Sequence, residues 1–409
     1  MKQLAGIYIH IPFCERKCVY CNFNTTDYSA ALAARYVPAV VKEIRHWGTL
    51  LSERSGQTRA HQARSAGAGS SSKLAIDSVF FGGGTPSTLT AEQLGDLIAA
   101  CDDAFDLLPG AEITIEINPS PSHAGNFSEW RMAGINRASI GVQSFIDREL
   151  QALSRTHTAG DARRTINALR TAGFDNISLD LIAGLPDQTR SDWEFNLDQA
   201  LGIRPEHLSL YLLEVKEGTQ LYSQIERGRR PRPDDDLAAE MYQVICDRAA
   251  EAGYEHYEIS NFALASAGSP RIGRPSAYRS RHNMKYWTGA SFYGVGCGAH
   301  SYDGISRWVN IKQTEKYIES ILQSGQAIAE RTDLSKQDRA AEALFMGLRL
   351  IDGIDLVDFR TRYDVDVTAK YGRELDRLSE AGLIESAGGR LRLTSRGLVL
   401  SNEVFVAFV

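Results

Sequence analysis

Cysteine is scarce in this chain, which has six cysteines among 409 residues. Disulfide-stabilised secreted domains are far richer in cysteine, so the count excludes a disulfide framework and favours a reducing compartment. The few cysteines are also unevenly placed, because Cys14, Cys18 and Cys21 share one short loop. The scarcity therefore directs attention to that loop as a metal or redox site.

The chain also lacks an excess of positive charge and any long apolar run. Its formal net charge is -6 and its sequence pI is about 5.9, so a nucleic-acid partner is not expected. No run of about 18 apolar residues predicts a membrane span, and the apolar part of the N-terminus is too short for a secretory signal. We therefore expect a cytoplasmic protein.

Short β-rich runs alternate with amphipathic helical patterns through the first half of the chain. The alternation predicts βαβ units around a parallel sheet, and six repeats predict an α/β fold with a partial (βα)6 TIM-like barrel. In such folds the functional residues lie at the carboxyl ends of the strands. The runs are "GIYIHI" (6–11), "DSVFFG" (77–82), "EITIEI" (112–117), "RASIGV" (137–142), "NISLDLI" (176–182) and "HLSLYLL" (207–213).

Composition divides the chain into three regions. Residues 1–230 form the predicted barrel, in which 52–73 is rich in Ser, Gly, Ala and Arg and is interpreted as a mobile insertion. Residues 231–330 are a connecting region packed on the barrel, and 331–409 resemble a small winged-helix-like domain. Charges in this last region are nearly balanced, so a DNA-binding use is disfavoured.

The triplet "CERKCVYC" has the spacing C-x3-C-x2-C and is one ligand short of a closed zinc site. Three thiolates can instead hold three irons of a [4Fe-4S] cluster and leave the fourth iron open. A small molecule with an amine and a carboxylate, such as S-adenosylmethionine, can chelate that iron. From the residues alone, a zinc site completed by a distant histidine such as His10, or a reactive-thiol cluster, stays open.

The triplet matches the signature of the radical S-adenosylmethionine superfamily, and the surrounding segments agree. "GGGTPS" (82–87) resembles the superfamily's glycine-rich segment, and it precedes a helix start with a capping box from Thr90 to Gln93. Nearly the whole chain resembles the HemN/HemW group of this superfamily. The segments that carry this resemblance include "YIHIPFC", "RASIGVQSF", "LDLIAGLPDQT" and "HNMKYW".

This resemblance implies a [4Fe-4S] cluster on Cys14, Cys18 and Cys21. It also implies an S-adenosylmethionine site made by Tyr8, Tyr20, Gly83, Gly84, Thr85, Glu116, Gln143, Arg155 and Asp180. The chemistry is compatible, because arginine pairs a carboxylate bidentately while Gln143 and Asp180 can take ribose hydroxyls. Without the resemblance, Asp180 is explained equally well by a hydrogen bond to a neighbouring backbone amide or arginine. Core packing is the simpler explanation for Tyr8 or Tyr20 taken alone.

Two functions occur in the HemN/HemW group: coproporphyrinogen III dehydrogenation by radical chemistry, and heme delivery by a chaperone. The dehydrogenases share a further cysteine at the position of Phe23, and a longer segment than the 13 residues before Cys14. Both departures favour the chaperone. "HNMKYW" resembles the H-N-x-x-Y-W heme-binding motif, which implies His282 as heme ligand with Tyr286 and Trp287 against the porphyrin.

The resemblance further implies heme-accepting respiratory membrane proteins as partners, transient membrane association, and a homodimer that forms when the cluster is present. The arginines upstream of His282 either pair with heme propionates or form a solvated basic loop. Separately, Cys297 or His300 either contacts heme or lies in a tight turn. These arginines are Arg271, Arg274, Arg279 and Arg281. A third class, a non-radical zinc or DNA-binding protein, stays open. Whether the chain is an enzyme does not follow from the residues.

Overall fold

The structure is a computed structural model that describes residues 4–62, 73–119, 126–265 and 275–408. The strands are β1 (Ala5–Ile11), β2 (Phe13–Cys14), β3 (Thr26–Asp27), β4 (Ala75–Gly83), β5 (Asp106–Ile117), β6 (Arg137–Gln143), β7 (Ile177–Ala183), β8 (His207–Leu212), β9 (Tyr254–Glu258), β10 (Asn261–Leu264), β11 (Phe292–Val295), β12 (His300–Tyr302), β13 (Ser306–Asn310), β14 (Ile328–Asp333), β15 (Ile354–Asp355), β16 (Ile384–Ala387) and β17 (Arg390–Leu393). The helices are α1 (Ala30–Gln62), α2 (Ala91–Ala104), α3 (Phe127–Met132), α4 (Asp147–Ala152), α5 (Ala159–Thr171), α6 (Arg190–Ile203), α7 (Gln220–Glu226), α8 (Asp235–Glu251), α9 (Arg281–Thr288), α10 (Thr314–Ser324), α11 (Lys336–Gly347), α12 (Leu356–Tyr363), α13 (Val367–Glu380), α14 (Ser395–Val399) and α15 (Ser401–Phe405), with 3-10 turns at Pro86–Thr88 and Val406–Phe408.

Six parallel strands in the order β1-β4-β5-β6-β7-β8 form the centre of the fold. They correspond to the six β-rich runs, so the predicted partial (βα)6 barrel is confirmed. The apolar runs become strands buried on both faces, as parallel strands between helices require. Thr90 is the N-cap of helix α2 and forms the predicted capping box, in which its amide donates to the Gln93 side chain.

The sheet extends beyond the barrel at both ends, which the sequence did not predict. Strand β11 pairs in parallel with β1 and is followed outward by β12, β13 and β14, while β10 and β9 continue from β8. The described residues thus form one twelve-stranded sheet. The added strands are short, and β14 is exposed along nearly all its length, so their hydrophobic pattern is weak.

Helix α9 closes the amino-terminal end of the barrel. The Lys285 ammonium on this helix bonds the Leu4 carbonyl at 3.0 Å and also the carboxylate of Asp77, at the start of β4. The carboxylate of Glu112 on β5 accepts from two backbone amides in the first turn of α9, each at 3.2 Å. These bonds fix the helix beneath the interior of the barrel.

Helix α1 continues to Gln62 and takes in the start of the stretch 52–73, which composition predicts to be a mobile insertion. Residues 52–62 belong to this helix, and the mobility of the insertion stays a prediction. Residues 63–72 lie outside the described part of the chain. None of the helices in the described ranges is long and apolar enough to cross a membrane.

A second, smaller apolar core lies near the C-terminus. It is built from α11 to α15 and a three-stranded sheet in the order β15-β17-β16. This is the unit that the sequence predicts to resemble a winged helix. This unit contacts helix α9 directly, because the Arg349 guanidinium lies 4.4 Å from the ring centre of Trp287 on that helix.

Candidate functional site at the barrel mouth

The three clustered cysteines lie in the loop that follows β1, at the carboxyl end of the barrel. Short parallel strands β2 and β3 close this loop, and the Thr26 amide bonds the Pro12 carbonyl at 2.7 Å. Cys14, Cys18 and Cys21 are free thiols and are each partly exposed. The loop therefore presents three unpaired sulfurs at one mouth of the barrel.

The spacing of these sulfurs bears on which metal group they fit. Among the described residues, no three Cys, His, Asp or Glu side chains converge closely enough for a single metal ion. A zinc ion requires its ligands within about 2.0–2.3 Å, whereas the cysteines of a [4Fe-4S] cubane bind different irons and stand further apart. The donor set is all sulfur, which suits iron–sulfur ligation. The residues present fit a cubane better than zinc.

Arg155 lies directly beside this loop and is half-buried. Its Nη1 lies 3.5 Å from the Cys18 sulfur, and its Nη2 donates to the Gly141 carbonyl at 2.7 Å and to the side-chain oxygen of Asn118. Its Nε is buried and has no hydrogen-bond partner. A charged donor without an acceptor, next to the cluster loop, fits a carboxylate supplied by a ligand.

The glycine-rich segment packs against the cluster loop. The hydroxyl of Thr85 lies 3.6 Å from the Cys14 sulfur, and the amide of Gly83, whose φ is +114°, donates to Glu116 at 3.1 Å. A Cβ added to Gly84 would lie 2.7 Å from two carbonyl oxygens of the loop. Glycine at position 84 therefore lets the backbone of the glycine-rich segment lie against the backbone of the cluster loop.

A cavity of about 240 Å³ lies inside the barrel below this mouth. Five of the predicted ligand-binding residues line it. They are Tyr8, Gly83, Glu116, Asp180 and His282. The other predicted residues, Tyr20, Gly84, Thr85, Gln143 and Arg155, do not line this cavity. The fold thus divides the predicted site into two groups.

Tyr20, Gln143 and Arg155 group around the cluster loop. Gln143 ends β6 with a φ of 66°, a left-handed backbone that is uncommon for residues other than glycine and is often found at ligand sites. A Cβ on Gly141 would meet both the Gln143 amide nitrogen, at 2.9 Å, and Arg155, at 3.2 Å. Glycine at this position therefore lets those two side chains lie together.

The two carboxyl groups in the cavity are strongly affected by burial. Burial raises the pKa of Glu116 to about 7, and the nearby charge of Asp180 adds to the effect. Burial also raises the pKa of Asp180, although its carboxylate accepts from the Ser139 hydroxyl at 3.1 Å. Both carboxyls would be better satisfied by a cationic ligand that carries hydroxyl groups. S-adenosylmethionine, with its sulfonium and ribose, has that chemistry.

Sequence reasoning missed several polar side chains of the same cavity. Arg137 and Ser139 lie on β6, and Ser209 and Tyr211 lie on β8. In each pair the two residues are two positions apart, so they point to the same face of the strand. A polar residue at every second position of an otherwise apolar strand was the signal that could have found them.

The structure places His282 within helix α9 and inside the barrel, not in an open loop. It is 1% exposed, its Nδ1 lies 3.1 Å from the Ser78 hydroxyl, and its Nε2 lies 3.0 Å from the Tyr286 hydroxyl. Its ring centre is 5.2 Å from that of Phe80. Burial, followed by the charge of Lys285, lowers the pKa of His282 to about 3. The imidazole is therefore neutral at physiological pH, with both nitrogens engaged.

The two described arginines upstream of His282 do not line the cavity. Arg279 forms an ion pair with Glu255, and Arg281 donates to the Gly110 carbonyl at 2.9 Å. Arg271 and Arg274 lie outside the described residues. The propionate pairing expected of this group stays a prediction.

Cys297 and His300 also lie away from the cavity lining. The Cys297 sulfur is buried and lies 3.6 Å from the hydroxyls of both Tyr36 and Thr314, whereas His300 is exposed on β12. Cys297 is preceded and followed by glycines with positive φ, which agrees with the tight turn considered as the alternative.

Comparison with known proteins agrees with this geometry. Residues 8–200 match the radical SAM superfamily and residues 334–400 match the HemN C-terminal domain. The heme chaperone HemW of Bacillus subtilis is 33% identical over 99% of both chains. The mitochondrial radical S-adenosyl methionine domain-containing protein 1 of Bos taurus is 33% identical and covers 100% of this chain and 88% of its own.

A solved structure agrees in fold along the whole chain. Coproporphyrinogen III oxidase (HemN) from Escherichia coli superposes with a TM-score of 0.81 at 21% identity, over 99% of this chain and 90% of its own. The barrel and the C-terminal unit are therefore parts of a shared fold. The chain belongs to the HemN/HemW group of the radical SAM superfamily.

Proposed function

We propose that this protein is a heme chaperone that binds a [4Fe-4S] cluster, S-adenosylmethionine and heme, and delivers heme to respiratory proteins of the membrane. One observation carries the proposal. His282 and Tyr286 of the H-N-x-x-Y-W segment line the same cavity as Glu116 and Asp180 of the cofactor segments. A chain that couples heme binding to its cofactor state needs such a shared cavity.

Cys14, Cys18 and Cys21 would hold three irons of the cluster. The chemistry that such a cluster would supply is an open iron site for S-adenosylmethionine and an electron for it. The protein's own part is to orient that cofactor: the partnerless Nε of Arg155 would donate to a carboxylate, and Asp180 would accept from ribose hydroxyls. Buried strands around the cavity exclude water from it.

Heme binding at His282 requires a rearrangement of helix α9. A cavity of about 240 Å³ is smaller than the roughly 300–1,000 Å³ of pockets that enclose drug-sized ligands, so the macrocycle needs more room. The imidazole must also release one hydroxyl partner to offer a nitrogen to iron. Tyr286 is the partner on the same helix, so movement of α9 can change that contact.

The heme chaperone is preferred over the dehydrogenase because Phe23 stands where the dehydrogenases have a further cysteine. Phe23 lines the mouth of the cavity with 64% of its surface exposed, so no fourth thiol is offered there. The names of the curated relatives from Bacillus subtilis and Mycobacterium tuberculosis support the same choice.

The test is heme titration of anaerobically reconstituted protein, followed by the Soret absorption band. His282→Ala should weaken binding and change the spectrum, whereas the control His300→Ala, at an exposed histidine outside the cavity, should do neither. An unchanged spectrum in His282→Ala would remove the ligand assignment. Incubation of the same preparation with coproporphyrinogen III, S-adenosylmethionine and a reductant separates the alternative, because accumulation of protoporphyrinogen would show a dehydrogenase.

A further inference from the structure

Arg137 is the one arginine among the described residues that line the cavity, and it forms no direct ion pair there. It begins β6, is 2% exposed, and reaches into the cavity beneath the cluster loop. Its Nε is fully buried without a hydrogen-bond partner, and its guanidinium pairs with no carboxylate among the described residues. The charges of Glu116 and Asp180 interact with this guanidinium, but its buried Nε is left without an acceptor.

A second polar group beside it is also unsatisfied. Thr114 lies directly opposite Arg137 in the register between β5 and β6, and its hydroxyl is buried without a partner. Burying a charge or a hydroxyl without hydrogen bonds is strongly unfavourable, and arginine cannot lose its proton to avoid the cost. Two adjacent unsatisfied donors indicate that a ligand supplies the acceptor.

The carboxyl groups of the cavity do not fill this role. Their charges interact with Arg137, but Glu116 accepts its hydrogen bond from the Gly83 amide and Asp180 accepts from Ser139. The guanidinium fork matches a carboxylate, with two parallel donors to two oxygens. The acceptor that completes Arg137 is therefore expected to be the carboxylate of a bound molecule.

The carboxylate of S-adenosylmethionine is not the natural candidate. The cluster loop and the partnerless Nε of Arg155 lie at the carboxyl end of the strands, where that carboxylate is expected. Arg137 is the first residue of β6 and Gln143 the last, so their backbones are about 20 Å apart at about 3.3 Å per residue. Arg137 approaches the cavity from the opposite end.

We propose that the inner part of the cavity is a binding site for the carboxylate of a second ligand, held by Arg137 together with Thr114. The volume of about 240 Å³ admits a short carboxyalkyl arm but not a porphyrin macrocycle. A tetrapyrrole propionate is such an arm, and a free short-chain acid has the same chemistry. The tetrapyrrole source rests on the proposed function, whereas the carboxylate site does not.

The experiment compares heme with heme dimethyl ester, which lacks free carboxylates, on the reconstituted holoprotein. Wild-type protein should bind the free acid about thirtyfold or more tightly than the ester, the effect of one buried charged hydrogen-bonded pair. Arg137→Gln should abolish that preference, and Arg137→Lys should keep part of it. Arg163→Gln, at an arginine outside the cavity, is the control and should keep the wild-type preference for the free acid.

A second experiment, with sodium propionate as the ligand, does not depend on heme. It should raise the melting temperature of wild-type protein and not that of Arg137→Gln, because only a ligand of the folded state stabilises it. If heme binds in neither form, the proposed function fails while a propionate effect on wild-type protein still supports the carboxylate site.

Two results would overturn the inference. One is equal affinity of wild-type protein for heme and its ester together with no propionate effect. The other is an acid preference that survives in Arg137→Gln. If Arg137→Gln does not fold, Arg137→Lys and the ester comparison on wild-type protein decide.

Discussion

Replacing Glu116 by glutamine should stabilise the cofactor-free protein at alkaline pH. Burial raises the pKa of this carboxyl to about 7 from its ordinary 4.5, and the charge of Asp180 contributes further. Between these pH values the folded state holds a proton that the unfolded state has lost. Stability contributed by this group therefore falls as pH rises through that window.

The size of the effect follows from the shift. A rise from 4.5 to about 7 corresponds to about 3 kcal/mol of unfolding free energy at pH 8, and to less than about 1 kcal/mol at pH 5. Glu116→Gln removes this penalty while its amide oxygen can still accept from the Gly83 amide. The variant should gain about 3 kcal/mol over wild type at pH 8 and little at pH 5.

Urea unfolding of both proteins at the two pH values measures this difference. Glu315→Gln is the control, because that carboxyl lies in a surface ion pair with Arg35 and such pairs contribute about 0–1 kcal/mol. A Glu116→Gln variant that is no more stable than wild type at pH 8, or equally stabilised at both pH values, would refute the reasoning. The same variant should bind S-adenosylmethionine more weakly. That result would show that Glu116 lowers the stability of the free protein but contributes to cofactor binding.

Three further changes have expected outcomes. Tyr286→Phe removes the hydroxyl at the Nε2 of His282, so heme should bind several-fold more tightly in a Soret titration; unchanged or weaker binding contradicts the proposed release of that bond. Gly84→Ala places a Cβ 2.7 Å from loop carbonyls and should lower the iron content after reconstitution, whereas Gly95→Ala, with nothing within 4 Å, should not. Glu43→Ala removes a buried acceptor of three hydrogen bonds and should lower the unfolding free energy by about 3 kcal/mol or more, measured by urea unfolding.

The barrel was predictable because its strands carry their own signal. "SVFF" and "SLDLI" are apolar runs of strand length between helical patterns, and the structure has β4 and β7 there. The strands outside the barrel carry no such signal, since β12 has only three residues and β14 faces solvent. Pairing with the barrel edge, not local sequence, makes them strands.

The candidate site was predicted mainly through family resemblance, and physical reasoning alone reached less of it. The cysteine spacing by itself indicated an open metal site, whereas the roles of Gln143 and Arg155 depended on the resemblance and stay predictions. The burial of His282 was out of reach, because its partner Ser78 lies 204 residues away along the chain. Arg137 was within reach, since a charged residue starting a buried strand requires a partner.

The central claim is a cubane held by Cys14, Cys18 and Cys21 with one iron open to S-adenosylmethionine. Electron paramagnetic resonance of the dithionite-reduced, anaerobically reconstituted protein tests it most directly, with and without added S-adenosylmethionine. The account predicts a [4Fe-4S]+ signal whose g values shift when S-adenosylmethionine is added. A protein that holds no iron–sulfur cluster, or one whose signal is unchanged by S-adenosylmethionine, would contradict it.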